Sequence, residues 1–339
     1  AAGGFTDVMV IPNTNPVVHN KAQVEYIIQK AKALAVNIYP IGAVTKNIAG
    51  GDLAEMYDMH QSGALAFSDG TSSVQSSGLL LKALQYVKSF DGTVIQIPDD
   101  KSIGANGLMN EGIISTQLGL PGKPAIAEEL MVARDIKLAR YTDSKLHFTG
   151  IASAKSLEYI RRAKDGGINV TCSVSPQHLY FTENDLRDYD TNLKLNPPLR
   201  TETDRLALIK AVADGTVDCI ASHHFPQNQD GKICEFEYAK EGMIGLESLF
   251  GVLRSVINTQ WSIEEYVNFL SINPRRIFGI AVPEIKEGAA ACLTLFNTDE
   301  EYVFDEKMIR SKSKNSAFTG KKLKGRVAGI INKGKVELN

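Results

Sequence analysis

The sequence has little of what would mark a secreted, membrane-spanning or nucleic-acid-binding protein. Only four cysteines occur in 339 residues, Cys172, Cys219, Cys234 and Cys292. They are widely spaced and form no CxxC pair, which fits reduced thiols in a cytoplasmic protein rather than a disulfide framework. No run reaches the ~18 apolar residues of a membrane span. Neither sign of charge dominates: 37 Lys and Arg face 39 Asp and Glu, for a formal net charge of -2. That balance gives no electrostatic case for nucleic acid or an anionic membrane as a partner. No GxGxxG follows the first strand-like segment, so the dinucleotide fingerprint of an open doubly wound sheet is missing. No repeat and no low-complexity tract stands out. The chain starts on Ala1, and Ala1–Phe5 reads like the end of a helix entering a strand. We therefore expect residues upstream, and the absence of a visible leader is uninformative.

What is present is ordinary globular composition, 43% hydrophobic, enough for a sizeable core in one large or two ordinary domains. Short apolar runs alternate with amphipathic segments. Strand-like runs are Asp7–Ile11, Asn37–Val44, Ala64–Ser68, Thr93–Ile97, Lys145–Ile151, Asn169–Ser175 and Val217–Ser222. Helical spacing marks Lys21–Ala35, Leu53–Ser62, Gly78–Ser89, Ala125–Tyr141, Ala154–Asp165 and Glu202–Ala213. Strict alternation predicts parallel strands joined by right-handed crossovers, and near-continuously apolar strands predict cover on both faces. A closed (β/α)8 TIM-type barrel needs eight strands. Seven are found, so the first is expected upstream of residue 1. An open doubly wound sheet is the alternative. After Gly242 the texture changes. Helices are expected over Leu246–Asn258 and Ile263–Leu270, then antiparallel strands over Ala290–Phe296, Val303–Asp305, Arg326–Ile331 and Lys335–Leu338. The expected division is a barrel over 1–288 and part of a small β-sandwich over 289–339.

Seven segments carry a resemblance. They are Ala2–Val17 (AGGFTDVMVIPNTNPV), Gly63–Gly70 (GALAFSDG), Val74–Lys88, Ala127–Ala139, Tyr189–Arg205 (YDTNLKLNPPLRTETDR), Gly215–Pro226 (GTVDCIASHHFP) and Ser311–Val327. In this order they resemble the dihydroorotases of the class that associates with aspartate transcarbamoylase, within the amidohydrolase superfamily. The resemblance spans essentially the whole chain. It implies a barrel of the metal-dependent hydrolase kind with a composite β-sandwich, and an HxH motif on a strand before Ala1. The implied reaction is the reversible closure of carbamoyl-aspartate to dihydroorotate. The implied cofactor is zinc, which activates the water and polarises the amide carbonyl.

The motifs that would hold the zinc are altered. Where the family has FSDDG, this chain has Phe67-Ser68-Asp69-Gly70, with Gly70 at the ligand position. Ile97 stands for the histidine of HCED, and Gly150 for the ligand histidine of HIAHVST. His147 matches that motif's first histidine, which is not a ligand. His223 replaces the catalytic aspartate of TDHAPH, and Gln227 its last, substrate-contacting histidine. Glycine and isoleucine side chains offer no donor. Asp69 and His223 remain as weak metal candidates, and zinc is expected to be absent or substoichiometric. The resemblance marks Asn13 and Asn196 as substrate-binding, although Asn and Pro favour such turns without any ligand. His223 is the one candidate acid–base group. Adjacent strand residues point to opposite faces, so only one of His223 and His224 is expected at the mouth. His178 reads as structural, and His19 and His60 as solvated.

Two functions from different classes follow. One is a dihydroorotase homologue without effective catalysis, kept for its pocket or for assembly with itself or an aspartate transcarbamoylase-like partner. The other is a working cyclic amidohydrolase with an altered, single-metal site. Both imply a small carboxylate or cyclic-amide ligand.

Overall fold

A computed structural model describes residues 1–257 and 261–339. Strands β1 (Asp7–Val10) and β2 (Asn37–Pro40) pair in parallel, Asp7 opposite Asn37. Single parallel bridges, Gly42 to Phe67 and Phe67 to Val94, carry the array on to β3 (Thr93–Gln96). Beyond β3 the chain forms a two-residue parallel pair, β4 (Met109–Asn110) and β5 (Gly122–Lys123), in a long loop. The main array resumes with β6 (Lys145–Thr149), β7 (Val170–Val174) and β8 (Cys219–Ile220), in the order β3-β6-β7-β8. Seven parallel positions thus follow one another in chain order, as the alternation predicts. The Ala64–Ser68 position contributes only a single bridge at Phe67.

Local sequence explains the helices between the strands. Ser76 caps the helix Ser77–Lys88 by accepting from the Leu79 amide. Ser153 does the same for Ala154–Asp165 at the Lys155 amide. Thr201 and Asp204 form a reciprocal capping box for Glu202–Ala213. Such caps satisfy amides that have no partner within the helix. Each helix turns an apolar stripe to the sheet: Leu80, Leu84 and Val87, then Leu157 and Ile160, then Leu208 and Val212. These pack on Val94, Leu146, Phe148 and Val174 of the strands, all in one buried cluster. Among the described residues no helix is long and apolar enough to cross a membrane.

The C-terminal region differs in detail from the sequence expectation. Ala290–Phe296 and Val303–Asp305 are not two strands. One strand, β9 (Cys292–Val303), joins the first to the start of the second and pairs antiparallel with β10 (Lys322–Asn332), which in turn pairs with β11 (Lys335–Leu338). Two register shifts, between Lys324 and Arg326 and between Val327 and Gly329, absorb the residues that break the alternation. The helix expected over Leu246–Asn258 covers Leu249–Ile257, and Asn258 lies outside the described residues. The one expected over Ile263–Leu270 is α-helical only over Ile263–Val267, continuing as a π-helical stretch, Asn268–Ile272.

An ion pair between buried Arg275 and half-buried Asp7 ties the end of the barrel to its start. Arg275, on the helix Asn273–Ile277, donates to Asp7 Oδ2 at 2.5 Å and to Thr6 Oγ1 at 3.1 Å. Asp7 Oδ1 accepts from Asn37 Nδ2 (3.0 Å) and Tyr39 Oη (3.3 Å). Removing the guanidinium would strand a carboxylate in the interior. Arg275→Ala is expected to lower stability by about 3–5 kcal/mol, read by chemical denaturation; a loss below about 1 kcal/mol would show that the pair is effectively solvated.

Candidate active site at the barrel mouth

The strands end on one side at a cavity of about 930 Å³. Its rim includes Ile97 after β3, Thr149 at the end of β6, Ser175 after β7, and Ser222, His223 and His224 after β8. C-terminal strand ends are where barrel enzymes place their chemistry. The cavity continues along β1 and β8, past Val8, Met9 and Ile220.

Asn196, Gln227 and His223 border this cavity. Asn196 Oδ1 accepts from Lys123 Nζ (3.3 Å), which also pairs with Asp99 (2.7 Å). Gln227 Nε2 donates to the Glu241 carbonyl (2.7 Å). Asn13 does not join them. Its amide lies against the 69–71 loop, donating to the Asp69 carbonyl (3.4 Å) and accepting from the Thr71 amide (3.3 Å). Gly70 sits at φ +64°, and a Cβ there would fall on Asn13 Oδ1. The asparagine therefore fills the space a side chain at position 70 would take. Asp69 is also directed elsewhere. Its oxygens accept from the Thr45 amide (2.9 Å) and Thr45 Oγ1 (2.6 Å), and burial raises its pKa.

His223 occupies the space beside Gly150 in the same way. Gly150 has φ +72°, and a Cβ there would lie 2.6 Å from His223 Cε1 and 3.1 Å from Pro197 Cδ. His223 itself has φ +43°, a left-handed backbone that costs a non-glycine residue free energy and clusters at functional sites. This also corrects the strand argument for the histidine pair. β8 ends at Ile220, the backbone at His223 is not extended, and both His223 and His224 border the cavity.

The other histidines are engaged. His178 Nε2 donates to the Pro197 carbonyl (3.0 Å) and Nδ1 accepts from Ser175 Oγ (2.7 Å), in line with a structural role. His224 Nδ1 accepts from the Gly245 amide at 3.2 Å. His19 and His60 are half-buried rather than solvated: Nδ1 of His19 accepts from the Asn47 amide (3.1 Å), and His60 stacks on Phe90 with ring centroids 4.8 Å apart. Sequence reasoning did not single out Lys101, Lys123, Gln177 or the hydroxyls of Thr149 and Ser173. Lys101, Gln177, Thr149 and Ser173 border the cavity. Short polar residues inside strand runs carry no signal of their own until their neighbours are known.

A dihydro-orotase-like family model matches residues 1–156. A dihydroorotase of Acetivibrio thermocellus is 42% identical over 99% of this chain and 80% of its own length. A dihydroorotase of Geobacter metallireducens is 43% identical with the same coverage. The chain belongs to the dihydroorotase family. Among solved structures, an L-hydantoinase (dihydropyrimidinase) from Arthrobacter aurescens superposes with a TM-score of 0.88 at 22% identity, over all of this chain and 79% of its own. A D-hydantoinase (dihydropyrimidinase) from Thermus sp. gives 0.78 at 17% identity, over 100% of this chain and 78% of its own. The fold is accordingly a TIM-type barrel with a β-sandwich part, and the open-sheet alternative is set aside.

The dihydroorotase resemblance implies zinc, so the donors can be tested. Gly70, Ile97 and Gly150 have none, and Asp69 is committed to Thr45. Among the described residues no three His, Cys, Asp or Glu side chains converge on one point. These residues do not by themselves fit a zinc centre of the family kind.

Burial holds three imidazoles neutral. It lowers His147 to about 3, and His178 and His223 to about 4. An unfolded histidine protonates near 6.5, so the unfolded chain takes up more protons over that window. Their contribution to stability is complete above pH 6.5 and is lost as pH falls through it. Asp135, raised to about 6 by burial, runs the opposite way, so a single-residue comparison isolates the effect. Between pH 7 and pH 5 the stability advantage of wild type over His178→Gln should shrink by about 2 kcal/mol. An unchanged gap would mean that the ring is not held neutral.

Proposed function

We propose that this dihydroorotase-family protein of pyrimidine biosynthesis binds a carbamoyl-aspartate- or dihydroorotate-like ligand at the barrel mouth with little or no turnover. We further propose that it serves in assembly, with itself or with an aspartate transcarbamoylase-like partner. The observation that supports the reading is the filled space at two positions where the resemblance implies metal ligands. Asn13 occupies the room beside Gly70 and His223 the room beside Gly150, so the altered residues pack rather than leave an empty cage. Asn196, Gln227 and His223 are the proposed ligand contacts, and the chain divides functionally into a barrel over 1–288 and a β unit over 289–339. This reading places the protein in the cytoplasm.

The test is calorimetric binding of carbamoyl-aspartate in the presence of chelator, beside a turnover assay and gel filtration with an aspartate transcarbamoylase. Saturable binding without turnover supports the proposal. Chelator-sensitive turnover would favour a working enzyme with an altered, single-metal site. No binding, no co-elution and elution as a monomer would remove both roles.

A further inference from the structure

The β4–β5 pair stands outside the barrel array, yet its last residue, Lys123, is fixed to the segment 196–200 twice. The Lys123 carbonyl accepts from Nη1 of buried Arg200 at 2.8 Å. The same Nη1 donates to Oδ1 of Asn110 at 2.8 Å, the residue opposite Lys123 in the pair. Asn110 Nδ2 in turn donates to Glu183 Oε2 at 2.6 Å. At the other end of the residue, the Lys123 ammonium donates to Asn196 Oδ1 (3.3 Å) and to Asp99 Oδ2 (2.7 Å). Lys123 itself does not border the cavity, whereas Asn196 does.

The contact between Lys123 and Asn196 can run in one direction only. An ammonium has three donors and no acceptor, so only the amide oxygen can face it. Turning the amide over would set donor against donor. The oxygen of Asn196 is therefore held toward Lys123 and its NH₂ group points the other way. Among the described residues that Nδ2 has no hydrogen-bond partner, and it is not enclosed. Its two N–H groups open onto the cavity that Asn196 borders.

We propose that Lys123 is a positioning residue that holds Asn196 as a donor toward the cavity, and that this corner reads the uncharged carbonyl oxygen of a cyclic amide or carbamoyl group, not a carboxylate. The β4–β5 pair, clamped through Arg200 and Asn110, is the platform that delivers Lys123 to this place. Charge decides the acceptor. A carboxylate taken out of water needs a cation or several donors to replace its hydration. The cation behind Asn196 is already matched by Asp99, so the corner offers a neutral amide and no net charge. An amide carbonyl asks for no more than that. The ligand class rests on the binding reading above; the positioning of Asn196 by Lys123 does not.

The test uses the full chain and two readouts. The first is the NMR order parameter of the Asn196 side-chain amide in the ligand-free protein. It should be high in the wild type and fall in Lys123→Met combined with Asp99→Asn, a pair that removes the donor without stranding the carboxylate. Lys123→Arg, which keeps charge and donors, should retain most of the order. The second readout is binding of two probes, 5,6-dihydrouracil as the cyclic amide without a carboxylate and succinate as the carboxylate. Asn196→Leu and the Lys123/Asp99 double variant should each weaken dihydrouracil about tenfold and leave succinate unchanged. An amide order parameter that ignores the double variant, in a protein whose thermal unfolding is unchanged, overturns the positioning role. Should the double variant not fold, Asn196→Leu still decides the donor role, which is wrong if dihydrouracil binds that variant as tightly as wild type. It is also wrong if wild type does not bind dihydrouracil, or if succinate is the probe that is lost. If dihydrouracil binding depends on Asn196 but carbamoyl-aspartate does not bind, the inference stands and the proposed function fails.

Discussion

Hydrolysis of dihydroorotate by the purified protein is expected to run at least about 10³-fold below that of an intact family member, and to be indifferent to a chelator. The chemistry asks for an activated water and a polarised carbonyl. Bound zinc supplies both, bringing the pKa of water from ~15.7 to about 7. The acid–base candidate that the sequence marks, His223, does border the cavity. A positioned general base contributes typically ~10²–10⁴-fold, and here even that is curtailed. Nε2 is engaged by Thr149, and burial lowers the ring's pKa to about 4, which makes it a weak base. His223→Asp alone should not help, because positions 70, 97 and 150 would still lack donors. The restoring variant combines Gly70→Asp, Ile97→His, Gly150→His and His223→Asp, on a chain carrying an HxH upstream. Steady-state turnover with and without chelator decides the matter. A wild-type rate comparable to an intact relative, abolished by chelator, would show that another metal cage exists.

The second large effect concerns positions 150 and 223 as a pair. Gly150→His alone is expected to destabilise the fold by about 3–5 kcal/mol. The backbone at φ +72° disfavours any side chain, at about 1–3 kcal/mol. The new ring would also overlap His223, whose Cε1 stands 2.6 Å from the nearest possible Cβ, and would press on Pro197; overpacking of this kind adds about 1–3 kcal/mol. Adding His223→Asp removes the overlap. The double variant should therefore recover about 1–3 kcal/mol relative to the sum of the single changes. Denaturation of the two single variants and the double variant closes the cycle. Strict additivity would mean that the two side chains do not compete for one space.

The parallel array was legible in the sequence because its signals are local. Such units announce themselves through an apolar run and a capped amphipathic helix, such as Val170–Val174 and Ala154–Asp165. The family was legible because its segments occur in order along the chain. The C-terminal sheet was harder. The continuity of β9 through Asn297–Tyr302 depends on pairing with β10, a strand distant in the chain, and on two register shifts. No local pattern records that.

By itself the sequence determined which groups can never serve. Gly70, Ile97 and Gly150 have no side-chain donor atom in any conformation, so the lack of side-chain ligands at those positions is a property of composition. It also determined which side chains were candidates: Asn13, Asp69, Asn196, His223 and Gln227. Only the tertiary structure decided where these point. Asn13 turns to the 69–71 loop and Asp69 to Thr45, while His223 closes the room beside Gly150 and takes its orientation from Thr149. The physical reason is that donor chemistry belongs to a residue, whereas direction and burial belong to its neighbours. Thr149, Ser173 and His147 become neighbours of His223 only when β6, β7 and β8 lie side by side.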